Sequence, residues 1–209
     1  MTKILLAALL GSLLCVLWTA TSWLVLPWHD SVLRDFHDES DVATALRENA
    51  SDQLKRRGEQ SGVFLLPRTA LLGAPTPPPP TETETLKATS TRKPVDNAMY
   101  AFVVFRPGAF HLNVVMALVW TFARSLAACC VIALMLSWTM RLDYLQRVVF
   151  CALGGVFSGL VADAPLMTWL QMPLRYSITN FADHLCEWTL AGLVIAAMVE
   201  GRDVWEKIR

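Results

Sequence analysis

Four apolar stretches, residues 4–26, 112–139, 148–169 and 181–199, limit what this chain can fold into more than any motif does. The hydrocarbon core of a bilayer is about 30 Å thick and takes about 20 apolar residues in helical form to cross. Backbone amides find no water there, so such stretches cross as helices. The expected fold is therefore all-α and membrane-embedded: four transmembrane helices, with a small extracytoplasmic α+β segment between helices 1 and 2. Composition agrees, with 54% hydrophobic and 17% charged residues, against about 25% charged in typical soluble domains. Eighteen basic residues balance eighteen acidic ones, so net charge gives no reason to expect a nucleic-acid partner.

These stretches divide the chain into an anchor (1–26), an external segment (27–110) and a three-helix region (111–209). The first apolar run is too long for the core of a secretory signal, and Leu13-Leu14-Cys15 lacks the small residue a lipoprotein cysteine would need. It reads as an uncleaved anchor, with Trp18, Trp23 and Trp28 as an interfacial belt. Lys3, Arg141, Arg147, Arg202, Lys207 and Arg209 fall on one side of the spans and Arg175 on the other. The positive-inside rule then puts both termini in the cytoplasm and the long loop outside.

Within that loop, Val42, Leu46, Ala50 and Leu54 repeat every four residues and predict a helix from Asp41 to Arg57, with an Asp52–Arg56 pair and a stop at Gly58. Residues 62–66 and 100–105 read as two β-like runs able to pair as a hairpin. Pro75–Pro80 and the Thr, Glu and Lys residues that follow predict a disordered insert over residues 73–94.

Inside the spans, Gly155, Gly159 and Asp163 recur every fourth residue, a close-packing face that ends in a carboxylate. Gly192 on the fourth span is expected to dock there. Arg124 shares a face with Ala117, Thr121 and Ala128 and is expected to point inward, because a lone mid-span arginine costs about 3 kcal/mol on insertion scales. The expected intramembrane charge cluster is Arg124 with Asp163, Glu187 serving as a third member. Residues 165–179 are expected to form the loop joining the third and fourth spans.

No catalytic constellation emerges. Gly155-Val-Phe-Ser158-Gly159 resembles the serine motif of rhomboid proteases, but its first glycine precedes the serine by three residues instead of two. Gly154-Gly155 lacks the Lys-Ser/Thr of a phosphate loop. Cys15, Cys129, Cys130, Cys151 and Cys186 lie in or beside spans without C-x-x-C spacing and read as small packing residues. His29, His111 and His184, with Glu187, form an alternative metal-ligand or proton-relay set near the outer helix ends.

Ser22-Trp23-Leu-Val-Leu-Pro-Trp28-His29, Ser61-Gly62-Val-Phe-Leu-Leu-Pro67, the run from Asp163 to Pro173, and Glu187-Trp188-Thr-Leu-Ala-Gly192-Leu together give the chain a family likeness. It resembles a group of uncharacterised bacterial inner-membrane proteins with an N-terminal anchor, an external segment and three further helices. The resemblance implies a multi-pass inner-membrane topology and a bacterial origin, and carries no functional residue and no cofactor. The expected role is a non-enzymatic accessory or assembly factor, partnered by the bilayer and by another membrane protein complex. The alternative is a bundle that moves protons or a small solute, or binds a metal near its outer face.

Overall fold

The computed structural model describes residues 2–66, 100–108, 113–139 and 141–200, with the side chains of Asp52, Gln53 and Arg57 excluded. His111 and the expected disordered insert at residues 73–94 lie outside the described residues. The chain forms two compact units, one comprising Met1–Arg34 with His111–Arg209 and the other Asp35–Phe110.

The first unit holds four helices: α1 (Thr2–Leu24), α3 (Val114–Ser137), α4 (Tyr144–Trp169) and α5 (Leu174–Met198). Each is long and apolar enough to cross a membrane. Their starts follow local chemistry. Asn113 caps α3 by accepting from the Met116 amide at 2.9 Å. Asp143 and Gln146 form a reciprocal capping box at α4, satisfying two amides that a helix start leaves free. That box starts α4 four residues before the expected Val148.

The expected loop 165–179 is corrected more strongly. Pro165 lies inside α4, and the connection shrinks to residues 170–173, where Gln171 takes a positive φ of 52°. Pro173 then precedes α5 with φ −56°, and its carbonyl accepts from the Ser177 amide at 3.1 Å. Proline suits such a start because its fixed φ is helix-ready and its missing N–H would be unpaired anyway. The consequence is depth. At about 1.5 Å per residue, Glu187 lies roughly 20 Å from the start of α5, near its midpoint and not near the outer end.

The helices form a row. α1 packs against α3 on one side and α5 on the other, α5 packs against α4, and α3 barely meets α4 or α5. α1 and α5 are therefore the inner members, and the helix of the Gly155, Gly159 and Asp163 face lies at one end of the row. α1 earns that place through a stripe of small buried residues, Ala7, Ala8, Gly11, Ser12, Cys15 and Ser22. A Cβ added at Gly11 would lie 3.2 Å from the Ile195 side chain and 3.3 Å from Cys129 Sγ, so small side chains here set the helix spacing. The start of α1 and the end of α5 share one end of the unit, where Ala7, Ala8 and Val199 join one buried cluster.

The second unit contains α2 (Glu39–Arg57) and an antiparallel pair, β1 (Gly62–Leu66) and β2 (Ala101–Phe105), in register from Gly62 opposite Phe105 to Leu66 opposite Ala101. Asp38 caps α2 by accepting from the Asp41 amide at 3.0 Å, and Gly58 ends it with φ 66°. Ala50 and Leu54 of the expected stripe are buried. Leu54 lies over Gly62, where an added Cβ would come within 2.7 Å of its side chain. Two strands are marginal alone in water, so the leucine covers a surface the hairpin cannot bury itself.

Candidate functional site

The polar groups of the helical unit converge on α5, through three sites that face three different neighbours. The first faces α1. Asp183 Oδ1 accepts from the Trp18 indole and from the Ser22 hydroxyl, each at 2.7 Å. His29 Nε2 lies 3.0 Å from Ser22 Oγ and 3.6 Å from Asp183 Oδ2. Trp28 also donates to Ser22 Oγ at 3.0 Å, and Trp23 stacks on His29 with ring centroids 4.0 Å apart. Residues 27–34 thus fold back onto the helical unit, eight residues beyond the expected end of the anchor.

Hydrogen bookkeeping fixes the tautomer. Ser22 has one proton and gives it to Asp183, so His29 Nε2 must bring its own to reach Ser22 Oγ. His29 Nδ1 is then left bare, and it is buried without a hydrogen-bond partner. Serine, histidine and aspartate are together here, yet not in the order of a hydrolytic triad. Both partners approach the same ring nitrogen, and the serine proton goes to the acid instead of the base.

The second site faces α4. Gly155, Gly159 and Gly192 line the α4–α5 contact. A Cβ at Gly155 would come within 2.7 Å of the His184 carbonyl oxygen, one at Gly192 within 2.7 Å of Cys151 Cβ, and one at Gly159 would strike the Phe181 ring. This close approach brings His184 Nε2 to 3.6 Å from Asp163 Oδ2, an atom that is buried and makes no hydrogen bond. At the other end of the seam Arg147 donates to the Val199 carbonyl at 2.9 Å, satisfying a group that the helix end leaves free.

The third site faces α3. Arg124 Nη2 lies 3.9 Å from Glu187 Oε1, and Ser125 donates to the same oxygen at 3.4 Å. The expected Arg124–Asp163 pair is thereby corrected, because Arg124 and Glu187 both lie near the midpoints of their helices while Asp163 meets His184. The inward-facing expectation for Arg124 is corrected too: its side chain is 61% exposed. The buried face of α3 is Ser125, Cys129, Ala133 and Leu136, rotated by one residue from the Ala117, Thr121, Arg124, Ala128 face.

Of the alternative ligand set, His111 lies outside the described residues and the other three members face different partners. His29 faces Asp183, His184 faces Asp163 and Glu187 faces Arg124. Among the described residues no three His, Cys, Asp or Glu side chains converge closely enough to hold a metal ion. Spacing sets Asp183 beside Glu187, four residues on, and does not assign Trp18 and Ser22 to it. A tryptophan near a span end reads as a belt residue, and only the four-residue spacing of Trp18 and Ser22 could have marked a shared polar face.

A pH response follows from His29, which lies beyond the end of α1. Burial pushes its pKa below the ordinary value, outweighing the opposing pull of Asp183. The folded protein holds the neutral ring, whereas the unfolded chain takes up a proton near pH 6.5. His29 therefore stabilises fully above that pH, and the contribution is lost as pH falls through the lower folded value. The thermal midpoint in detergent should drop between about pH 7 and about pH 5, and His29→Gln should flatten that drop. An identical pH profile for the two proteins would refute the assignment.

Compared with protein-family models, curated proteins and solved structures, the chain finds no match in any of the three.

Proposed function

We propose that the protein is a multi-pass protein of the bacterial inner membrane that acts as a non-enzymatic accessory or assembly factor. In this reading both termini are cytoplasmic, and residues 27–110 are presented on the outer side. The carrying observation is the use made of the ionisable groups in the spans: Asp163, Asp183 and Glu187 are each engaged in a contact between α5 and another part of the unit. Groups committed to holding helices together account for the cost of carrying charge in lipid without requiring a reaction. The second unit supports the role with a cleft of mixed charge lined by Arg47, Glu48, Lys55 and Glu59.

Single cysteines introduced by Glu59→Cys and Arg141→Cys test the topology. An impermeant maleimide should label position 59 in intact cells and position 141 only after permeabilisation, and the reverse pattern would invert the proposed orientation. Gentle affinity purification of the full chain should recover a membrane complex.

A second reading, movement of protons or a solute, draws on Asp163 Oδ2 and His29 Nδ1, which are buried without hydrogen-bond partners. In proteoliposomes the accessory reading expects no flux above empty vesicles at any pH. Flux abolished by Asp163→Asn, or stoichiometric metal lost on His184→Ala, would replace it.

A further inference from the structure

The span least covered by the rest of the unit is α3, whose most apolar window is 11% buried against 28% for each of the other three. Its open side carries Trp120, Ala123, Arg124, Ala127 and Val131, all exposed. Arg124 lies roughly 15 Å along the helix from Val114 at about 1.5 Å per residue. A hydrocarbon core about 30 Å thick then holds it near mid-depth, too deep for the side chain to reach either headgroup layer easily.

Glu187 does not satisfy this guanidinium. The nearest nitrogen–oxygen distance is 3.9 Å, longer than a hydrogen bond, and the carboxylate is 10% exposed while the arginine is 61% exposed. Among the described residues the guanidinium makes no hydrogen bond, and it lies at a depth where lipid offers no acceptor.

A second copy of this chain is a poor match. Its Asp163 and Glu187 are buried inside the unit and its Asp183 is bonded to Trp18 and Ser22, and a two-fold contact through α3 would set Arg124 against its own copy. The missing acceptor must come from a chain that brings its own. Ala123 and Ala127, one turn apart beside the arginine, leave room for a helix to approach closely.

We infer that the exposed stripe of α3 around Arg124 is the docking face for a transmembrane helix of another protein, one carrying an aspartate or glutamate near mid-depth. This inference rests on the membrane accessory reading and supplies its partner chemistry.

The test uses the full chain, donor-labelled, in phosphatidylcholine vesicles with acceptor-labelled leucine-based single-span peptides. One peptide carries a central aspartate, one carries the aspartate two turns off centre, and one carries none. Energy transfer should report binding of the central-aspartate peptide about tenfold tighter than that of the all-leucine peptide. The off-centre peptide should lose this gain on the unaltered protein, which needs no variant to fold. Arg124→Leu should abolish the gain, and Arg124→Glu should transfer the preference to a central-lysine peptide.

Equal binding of the central-aspartate and all-leucine peptides would overturn the inference, as it would if lipid phosphate or water drawn into the bilayer satisfied Arg124. So would a preference that survives Arg124→Leu. If the chain is washed off vesicles by alkali, the membrane reading and the inference fall together. If it stays and labels as expected but ignores the acidic peptide, the inference falls alone.

Discussion

Replacing Gly155 with alanine should loosen the helical unit, and replacing it with leucine should force α4 away from α5. The atoms that a new Cβ meets are backbone, the His184 carbonyl oxygen at 2.7 Å and Leu185 Cα at 3.0 Å, so no rotamer change relieves the clash. Overpacking of this kind costs about 1–3 kcal/mol, and leucine should reach or pass the upper end. Separation would also stretch the Asp163–His184 approach of 3.6 Å, uncovering a buried acid. Gly154 supplies the internal control. A Cβ there would meet Ile132 Cδ1 at 3.4 Å, an ordinary contact with a flexible side chain. Gly154→Ala should be neutral or stabilise by up to roughly 1 kcal/mol through helix propensity. Unfolding in detergent, followed by circular dichroism, compares the adjacent variants directly. If Gly155→Leu unfolds at the midpoint of Gly154→Ala, the seam is not what holds these helices together.

The same seam marks how far residues alone could be read. Four helices follow from length and apolarity, and the faces of Gly155, Gly159 and Gly192 follow from four-residue spacing, because both are local properties of one segment. Which helix meets which is not local. The row with α1 and α5 inside depends on the match between the Gly11 stripe of α1 and the Ser125, Cys129, Ala133 stripe of α3. Neither stripe stands out, because serine, cysteine and alanine are ordinary in spans. The face of Ala117, Thr121 and Ala128 predicts an inward Arg124, and a rotation of one residue is enough to turn it out. Pro173 reads as a loop residue and is a helix start, which shifts every depth along α5. The Asp183 cage depended on Trp28 and His29 folding back after Pro27, a long-range outcome that no spacing within residues 22–29 announces.

Removing the Asp183 carboxylate should be the most damaging change to a polar group in the unit. Its Oδ1 accepts two bonds of 2.7 Å, from Trp18 Nε1 and Ser22 Oγ, and His29 is held nearby through Ser22. Asp183→Ala strands the indole donor and the hydroxyl in low-dielectric surroundings, at about 1–3 kcal/mol for each group left unpaired. The total for the two stranded donors should be about 2–6 kcal/mol. Asp183→Asn keeps one acceptor oxygen at the same place and should lose roughly half as much, since a bond to a neutral acceptor is about half as strong as one to a carboxylate. Trp18 offers a local readout beside the unfolding midpoint. Its indole N–H should exchange slowly with deuterium in the native protein and in Asp183→Asn, and quickly in Asp183→Ala, while amides of the α4–α5 seam stay protected until global unfolding. That pattern separates loss of the cage from general loosening. Slow indole exchange in Asp183→Ala would mean that Trp18 is held by something other than this carboxylate, and the tie between α1 and α5 would have to lie in the Gly11 and Ile195 packing alone.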